Sequence, residues 1–181
     1  MKTAARCVTM FLIILAVGAV PALGQEQEAD DNPNKRSGFF IGIGFGYGVL
    51  SIEDAPESEG GLSGMLRLGG TLSQKVLIGI ESNGWNKSES GVTLNFSSLA
   101  AAIQFYPSST GGFFLTGGAG IGVLSLSGFD SEIGLSVLLG LGFDVRVGSN
   151  ISISPFLNGY ASTINGFTIS VGQLGVGITF H

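Results

Sequence analysis

The chain has 181 residues, enough for one domain with a substantial core, and 12% of them are charged, about half the roughly 25% usual in soluble domains. Its 13 carboxylates against 8 Lys and Arg give a formal net charge of -5, and its cations never cluster beyond the adjacent Lys35 and Arg36. That balance excludes a nucleic-acid binder and disfavours any polyanionic partner.

Residues 1–24 have the order of a secretory signal peptide: Lys2 and Arg6, an apolar stretch from Met10 to Val20, then small residues Ala22 and Gly24 flanking Leu23. The apolar run is shorter than the roughly 20 residues of a spanning helix, so cleavage is expected after Gly24. Cys7, the only cysteine, precedes that run, so it is neither a lipid-attachment cysteine nor half of an internal disulfide. Loss of the leader removes two cations and no carboxylate, which makes the exported chain more acidic. Residues 25–37, polar and acidic with Asn32-Pro33-Asn34, cannot bury apolar area and are expected to form a flexible periplasmic tail.

From Gly38 the alternation begins. Phe39, Ile41, Ile43, Phe45, Tyr47 and Val49 share one parity while the other is almost all glycine. In a strand, alternate side chains point to opposite faces, so one face is bulky and apolar and the other nearly bare. Eight strands are predicted, at 38–51, 62–73, 76–86, 92–106, 112–125, 132–147, 151–162 and 168–180. The sixth repeats the pattern most clearly, with Ile133, Leu135, Val137, Leu139, Leu141, Phe143, Val145 and Val147 on one parity. These strands exceed the roughly 5 to 6 residues typical of soluble sheets and suit the roughly 9 to 11 that cross a bilayer at a tilt. No other stretch is long and apolar enough for a spanning helix, and 31 glycines oppose long helices. With an export signal, the expectation is an all-β, eight-stranded antiparallel up-and-down transmembrane barrel over 38–181, with its apolar face toward lipid.

Ser73-Gln74-Lys75, Pro107 to Gly111 and Gly148-Ser149-Asn150 read as tight turns, and Ile52 to Gly61, Lys87 to Gly91, Leu126 to Ser131 and Thr163 to Phe167 as mostly longer, polar loops. Periplasmic termini put the short turns on the side where such barrels carry them. Aromatic belts are then expected from Phe39, Phe105, Tyr106, Phe113 and Phe180 at the periplasmic end and Tyr47, Trp85, Tyr160 and Phe167 at the outer end. Two places conflict with the pattern. Thr93, Asn95 and Ser97 share the parity of Leu99, Ala101, Ile103 and Phe105, which requires a protruding outer half or a bulge. Pro155 lacks a ladder donor inside the seventh strand, which predicts a bulge or a missing bond.

An eight-stranded barrel is just wide enough for side chains to fill. A turn centred at Gln74 sets Arg67 opposite Glu81 on the inward face, and a turn centred at Ser149 sets Phe156 opposite Gly142 and Asn158 opposite Gly140. Arg67 with Glu81, and Asp144 with Arg146, are therefore candidate lumen charge pairs, a structural plug before a polar permeation path. Glu53, Asp54, Glu57 and Glu59 concentrate carboxylates in the first outer loop, but the spacing fits no calcium loop, so a solvated loop is expected rather than a metal site. A cation-bridged contact with lipopolysaccharide phosphates is the sharper alternative. The single histidine, His181, lies at the C-terminal end, away from the outer loops, so no serine there gains a base and no catalytic activity is expected. Gly117 to Gly122 contains no Gly-x-Gly-x-x-Gly, and neither cofactor nor metal is expected.

The C-terminal run Gln173-Leu174-Gly175-Val176-Gly177-Ile178-Thr179-Phe180-His181 resembles the C-terminal signal of bacterial outer-membrane barrels, with Gln173, Gly175, Ile178 and Phe180 at the matching places and His181 as one extra residue. With the leader and eight strands, the chain resembles the small OmpA/OmpX-like outer membrane β-barrel family of Gram-negative bacteria over its folded length. The resemblance implies insertion by the barrel-assembly machinery, with Gln173 to Phe180 as the recognised strand, and residence among outer-membrane lipids and lipopolysaccharide as a monomer. The leading expectation is a structural or surface-interaction role in the envelope. A narrow, porin-like pore is the second reading. A soluble lipocalin-like calyx, with Phe39 to Val49 lining a cavity, is the third.

Overall fold

The computed structural model describes residues 35–53 and 55–181; the expected leader, most of the expected tail and Asp54 lie outside the described residues. The described chain forms β1 (Phe39–Ile52), β2 (Glu59–Ser73), β3 (Val76–Glu89), β4 (Val92–Phe105), β5 (Phe113–Leu126), β6 (Glu132–Phe143), β7 (Val145–Arg146), β8 (Ile151–Ile164) and β9 (Phe167–Phe180). Neighbours in sequence pair antiparallel, and β1 pairs with β9, which closes the sheet and leaves no free edge. The short β7 continues β6 in one register against β8, so the barrel has eight staves.

The interruption between β6 and β7 falls at Asp144, next to Pro155 in the facing ladder. Gly142 pairs with Phe156 and pairing resumes at Val145 with Ile153, with no shift of register between them. Proline has no N–H to give, so the ladder loses a bond there instead of bulging. The Asp144 amide turns the other way and donates to the Gly112 carbonyl at 2.9 Å.

Register sets the tilt. Followed once round from Ile41, the ladder passes Leu68, Ile80, Ala101, Ala119, Val137, Ala161 and Ser170 and returns to β1 at Ser51, not Ile41. That stagger forces every stave to lean against the barrel axis. It also places residues of equal height at predictable positions on neighbouring staves.

Turn chemistry makes the hairpins. Ser90-Gly91 and Asn165-Gly166 both have two successive positive φ angles (49° and 83°, 52° and 85°), the two-residue turn whose twist matches the strands. These pairs let β3–β4 and β8–β9 run on to their tips, so the expected polar loops at Lys87 to Gly91 and Thr163 to Phe167 are strand and tight turn. Loop length therefore does not distinguish the two ends of this barrel.

The outward face is apolar, as the alternation requires: Phe45 is 74% exposed, Leu139 72% and Leu174 66%. This excludes the soluble calyx, in which those groups would be enclosed. On β4 no bulge switches the parity, and Asn95 and Ser97 remain outward. They belong to a polar collar at the hairpin end with Ser51, Asn86, Ser88, Thr93, Ser125, Thr163 and Ser170. Neighbours in the collar bond to each other, Asn86 Nδ2 donating to Asn95 Oδ1 at 2.5 Å and the Ser88 and Thr93 hydroxyls meeting at 2.8 Å.

Candidate functional site

The lumen is filled in three layers. In the middle, Arg67 on β2 and Glu81 on β3 face one another in the ladder, and Arg67 Nε donates to Glu81 Oε2 at 2.7 Å. The other carboxylate oxygen accepts Asn83 Nδ2 and Asn158 Nδ2, each at 3.0 Å. Gln173 Nε2 donates to Asn83 Oδ1 at 2.6 Å, so β9 joins the same network. Glu81 is fully enclosed and Arg67 4% exposed, and such charges persist only because each has a partner in place.

Toward the chain ends, Arg67 Nη1 donates to Gln104 Oε1 at 3.0 Å, and Gln104 Nε2 donates to the Tyr106 hydroxyl at 2.6 Å. That hydroxyl in turn donates to Asp144 Oδ2 at 2.6 Å, while Ser154 Oγ donates to Asp144 Oδ1 at 2.6 Å. Arg36 closes this mouth. Its guanidinium lies 3.5 Å from the centroid of the Tyr106 ring and donates to the carbonyls of Gln74, Ser109 and Gly111. Gln74 completes the clamp, accepting the Arg36 amide at 3.0 Å and donating to its carbonyl at 2.7 Å. The segment expected to be a flexible tail thus ends, at Lys35 and Arg36, as a folded plug, because planar guanidinium satisfies several carbonyls at once and stacks on an aromatic face.

At the hairpin end the lumen is apolar, against the expectation of a small, polar lining. Leu50, Trp85, Phe96, Leu138, Tyr160, Ile164, Ile169 and Val171 form one buried cluster, with the Phe96 and Tyr160 rings stacked at 5.5 Å. This cluster lies within the polar collar. Polarity therefore shifts along the axis: the enclosed charges of the chain-end half, packed around Phe40, Leu77 and Phe114, give way to an all-apolar cluster at the hairpin end, where the apolar exterior gives way to the collar. The apolar band suits lipid and the collar suits water.

An exterior this apolar, on a closed barrel with every strand paired, is the spanning form of a β-sheet. No family model matches the sequence, and no curated protein matches it. Solved structures do match. Neisserial surface protein A, at 18% identity and a TM-score of 0.59, covers 81% of this chain and 98% of its own. Ail, the attachment invasion locus protein of Yersinia pestis, is 19% identical with a TM-score of 0.55, covering 81% of this chain and all of its own. Ail in complex with the heparin analogue sucrose octasulfate gives 0.54 at 19% identity, over 79% and 99%. The chain has the fold of an outer-membrane β-barrel.

Within this barrel the predicted residues divide by parity. Phe39, Tyr47, Phe105, Phe113, Phe167 and Phe180 lie on the exposed exterior. Trp85, Tyr106 and Tyr160 do not: each is no more than 2% exposed and points into the lumen, so the belt assignment is corrected for these three. The sequence carried the signal. Trp85 shares its parity with Glu81 and Asn83, Tyr106 with Gln104, and Tyr160 with Asn158. Trp85 Nε1 is satisfied by the Gly48 carbonyl at 3.0 Å, so the ring needs no interface water.

Asp144 and Arg146 both reach the chain-end mouth but do not pair. Asp144 is held by Tyr106 and Ser154, and Arg146 Nη2 donates to the Lys35 carbonyl at 2.9 Å. Arg67 and Glu81 do pair, as their register requires. Phe156 faces Gly142 in the ladder, yet its ring leans over Gly44 and Gly175 at the β1–β9 seam, and Phe114 covers Gly142. Ile178 and Phe180 face outward from β9, Gly175 lies under Phe156, and Gln173 reaches into the lumen network. His181 is enclosed at the chain-end mouth, its Nε2 4.0 Å from Asp144 Oδ2. Burial first, and then the charges of Arg146 and Arg36, push its pKa down to about 4 against the pull of Asp144.

Charge is segregated along the axis. Lys35, Arg36, Lys75 and Arg146 lie at the chain-end rim with Asp144, while Glu53, Glu57, Glu59, Glu89, Asp130 and Glu132 lie at the hairpin end with Lys87. Lys87 is bonded to Glu59 and lies 3.0 Å from Glu89. Among the described residues no group of three or more metal-ligating side chains converges.

Proposed function

We propose that this chain is a monomeric, non-conducting and non-catalytic barrel that serves outer-membrane integrity or surface contact, with its chain ends in the periplasm. One observation carries the reading: the lumen is occupied at every level, by Arg36 and Tyr106, by the Arg67–Glu81 network, and by the Trp85, Phe96 and Tyr160 cluster. A narrow path for small solutes requires moving paired, enclosed charges and close-packed rings together, each at a cost of several kcal/mol. Planar bilayer recordings test this. Silence at high protein loading is expected, and steady single-channel steps reject the reading in favour of the pore.

The orientation draws on charge: a basic chain-end rim suits the phosphates of the inner leaflet, and an acidic hairpin end suits divalent cations held among lipopolysaccharide phosphates. Ail was solved with a polysulfated ligand. This chain's carboxylate-rich hairpin end repels such a polyanion, so any surface partner is cationic or meets the end through metal ions. During insertion, Gln173 to Phe180 serve as the strand read by the assembly machinery. Whole-cell protease and antibody accessibility of a tag placed at Gly128 tests the orientation: labelling of intact cells is expected.

A further inference from the structure

A groove of about 670 Å³ indents the membrane-facing wall near the chain-end rim, where β1 to β4 run side by side. Its floor is Gly69, Gly70, Gly79 and Ala101, and Phe39 and Leu72 rise on one flank with Ile78 and Ile103 on the other. The floor is low for a structural reason. Gly69 and Gly79 face each other in the β2–β3 ladder, and a Cβ on either would meet the other strand's carbonyl at 2.0 to 2.1 Å. The two strands thus coil more closely here than any side chain permits, and the Phe40 ring backs the floor from the lumen side. No charged side chain lines the groove.

The geometry points to a binding site for one anionic phospholipid, its acyl chain along Gly70 and Ala101 and its phosphate at Lys75. The volume lies within the roughly 300–1,000 Å³ usual for small-molecule sites. The groove lies in the apolar band, so hydrocarbon fills it in place of water. Lys75 is exposed in the turn joining β2 to β3, between Leu72 and Ile78 of the two flanks, and its backbone carbonyl is held by the Tyr106 amide at 2.8 Å. An exposed ammonium carried on an anchored backbone at the rim of an acyl-sized groove matches a lipid phosphate and makes the site selective for an anionic head group. The choice of phospholipid over lipopolysaccharide rests on the proposed orientation, since phospholipid makes up the leaflet that periplasmic chain ends would meet.

Native mass spectrometry of the full chain, purified in mild detergent and titrated with phosphatidylglycerol, phosphatidylethanolamine or lipid A, tests the site. Retention of a single phosphatidylglycerol in preference to the other two is expected. Ala101→Phe fills the groove from an exposed position without touching the lumen and is expected to weaken that retention about tenfold. Ala161→Phe, on β8 in the opposite wall, leaves it unchanged. Lys75→Gln abolishes the preference for phosphatidylglycerol over phosphatidylethanolamine while a lipid is still held. Heat-modifiability on gels verifies that each variant is folded. Retention indifferent to Ala101→Phe, or equally lowered by Ala161→Phe, overturns the site. Preferential retention of lipid A also overturns the proposal, and locates the fault in the orientation. A dimer sealing the groove overturns it in favour of a second copy as occupant.

Discussion

Arg67 and Glu81 stand opposite one another across β2 and β3 and form the one enclosed ion pair among the described residues, at 2.7 Å. Removing one partner strands the other in the lumen. Glu81→Ala is expected to cost about 3 to 5 kcal/mol in urea unfolding from detergent, whereas the double change Arg67→Leu with Glu81→Leu costs much less, since neither charge is then left unpaired. Equal losses for the single and double variants would remove the ion pair as the organising contact.

Trp85 is the only tryptophan, so fluorescence reads its surroundings without ambiguity. Its ring is 2% exposed, beside Gly48 and Gly61 within the hairpin-end cluster. Emission is expected to be blue-shifted and shielded from both aqueous acrylamide and brominated acyl chains. Strong quenching by brominated lipid would return Trp85 to the exterior belt. Trp85→Ala is expected to cost about 3 to 5 kcal/mol through the cavity it leaves.

Two glycines on β1 separate backbone crowding from side-chain crowding. A Cβ at Gly46 would sit 2.2 Å from the Leu174 carbonyl, which the closing ladder fixes in place. A Cβ at Gly44 would meet the edge of the Phe156 ring at 2.6 Å and the Met65 methyl at 2.9 Å, both ends of movable side chains. Gly46→Ala is therefore expected to destabilise more than Gly44→Ala. Adding Phe156→Leu is expected to restore part of the loss in Gly44→Ala and none in Gly46→Ala, as read by the midpoint of urea unfolding.

His181, just beyond the last strand, titrates near pH 4 instead of near 6.5. Because the folded state holds the neutral imidazole, the unfolded chain binds the extra proton between those two values. Stability is thus full above about pH 6.5, declines as pH falls toward 4, and has no further dependence on this group below it. NMR of the imidazole protons in micelles should give a midpoint near 4, and a midpoint at or above 6 would show that the ring is not enclosed. His181→Phe is expected to flatten this part of the stability profile.

Much of this was legible from parity alone. The bare alternation from Phe39 to Val49 fixes which side chains share a face, and counting about Gln74 pairs Arg67 with Glu81, although the turn itself is Gln74-Lys75, with a register shift between Thr71 and Ser73 making up the difference. Pro155 announced a bulge or a lost bond because proline carries no donor, and the structure shows the second, next to Asp144. The belt assignments for Trp85, Tyr106 and Tyr160 failed because position along a strand was allowed to outweigh parity, and parity decides inside from outside. The missing partnership of Asp144 with Arg146 was beyond counting. Both lie at a mouth that Tyr106, Ser154 and Lys35 enter from distant parts of the chain, and contact there depends on the tilt of all the staves.

By itself the sequence determined a two-faced, strand-built chain, since alternation and turn residues act over a few neighbours and are insensitive to what lies across the barrel. Tertiary structure alone decided the stagger from Ile41 to Ser51, the apolar filling of the lumen within the collar and the plug made by Arg36. Those properties arise when β9 meets β1: closure fixes the lean of every stave, and the lean sets which side chains from far-apart segments share a level in the lumen.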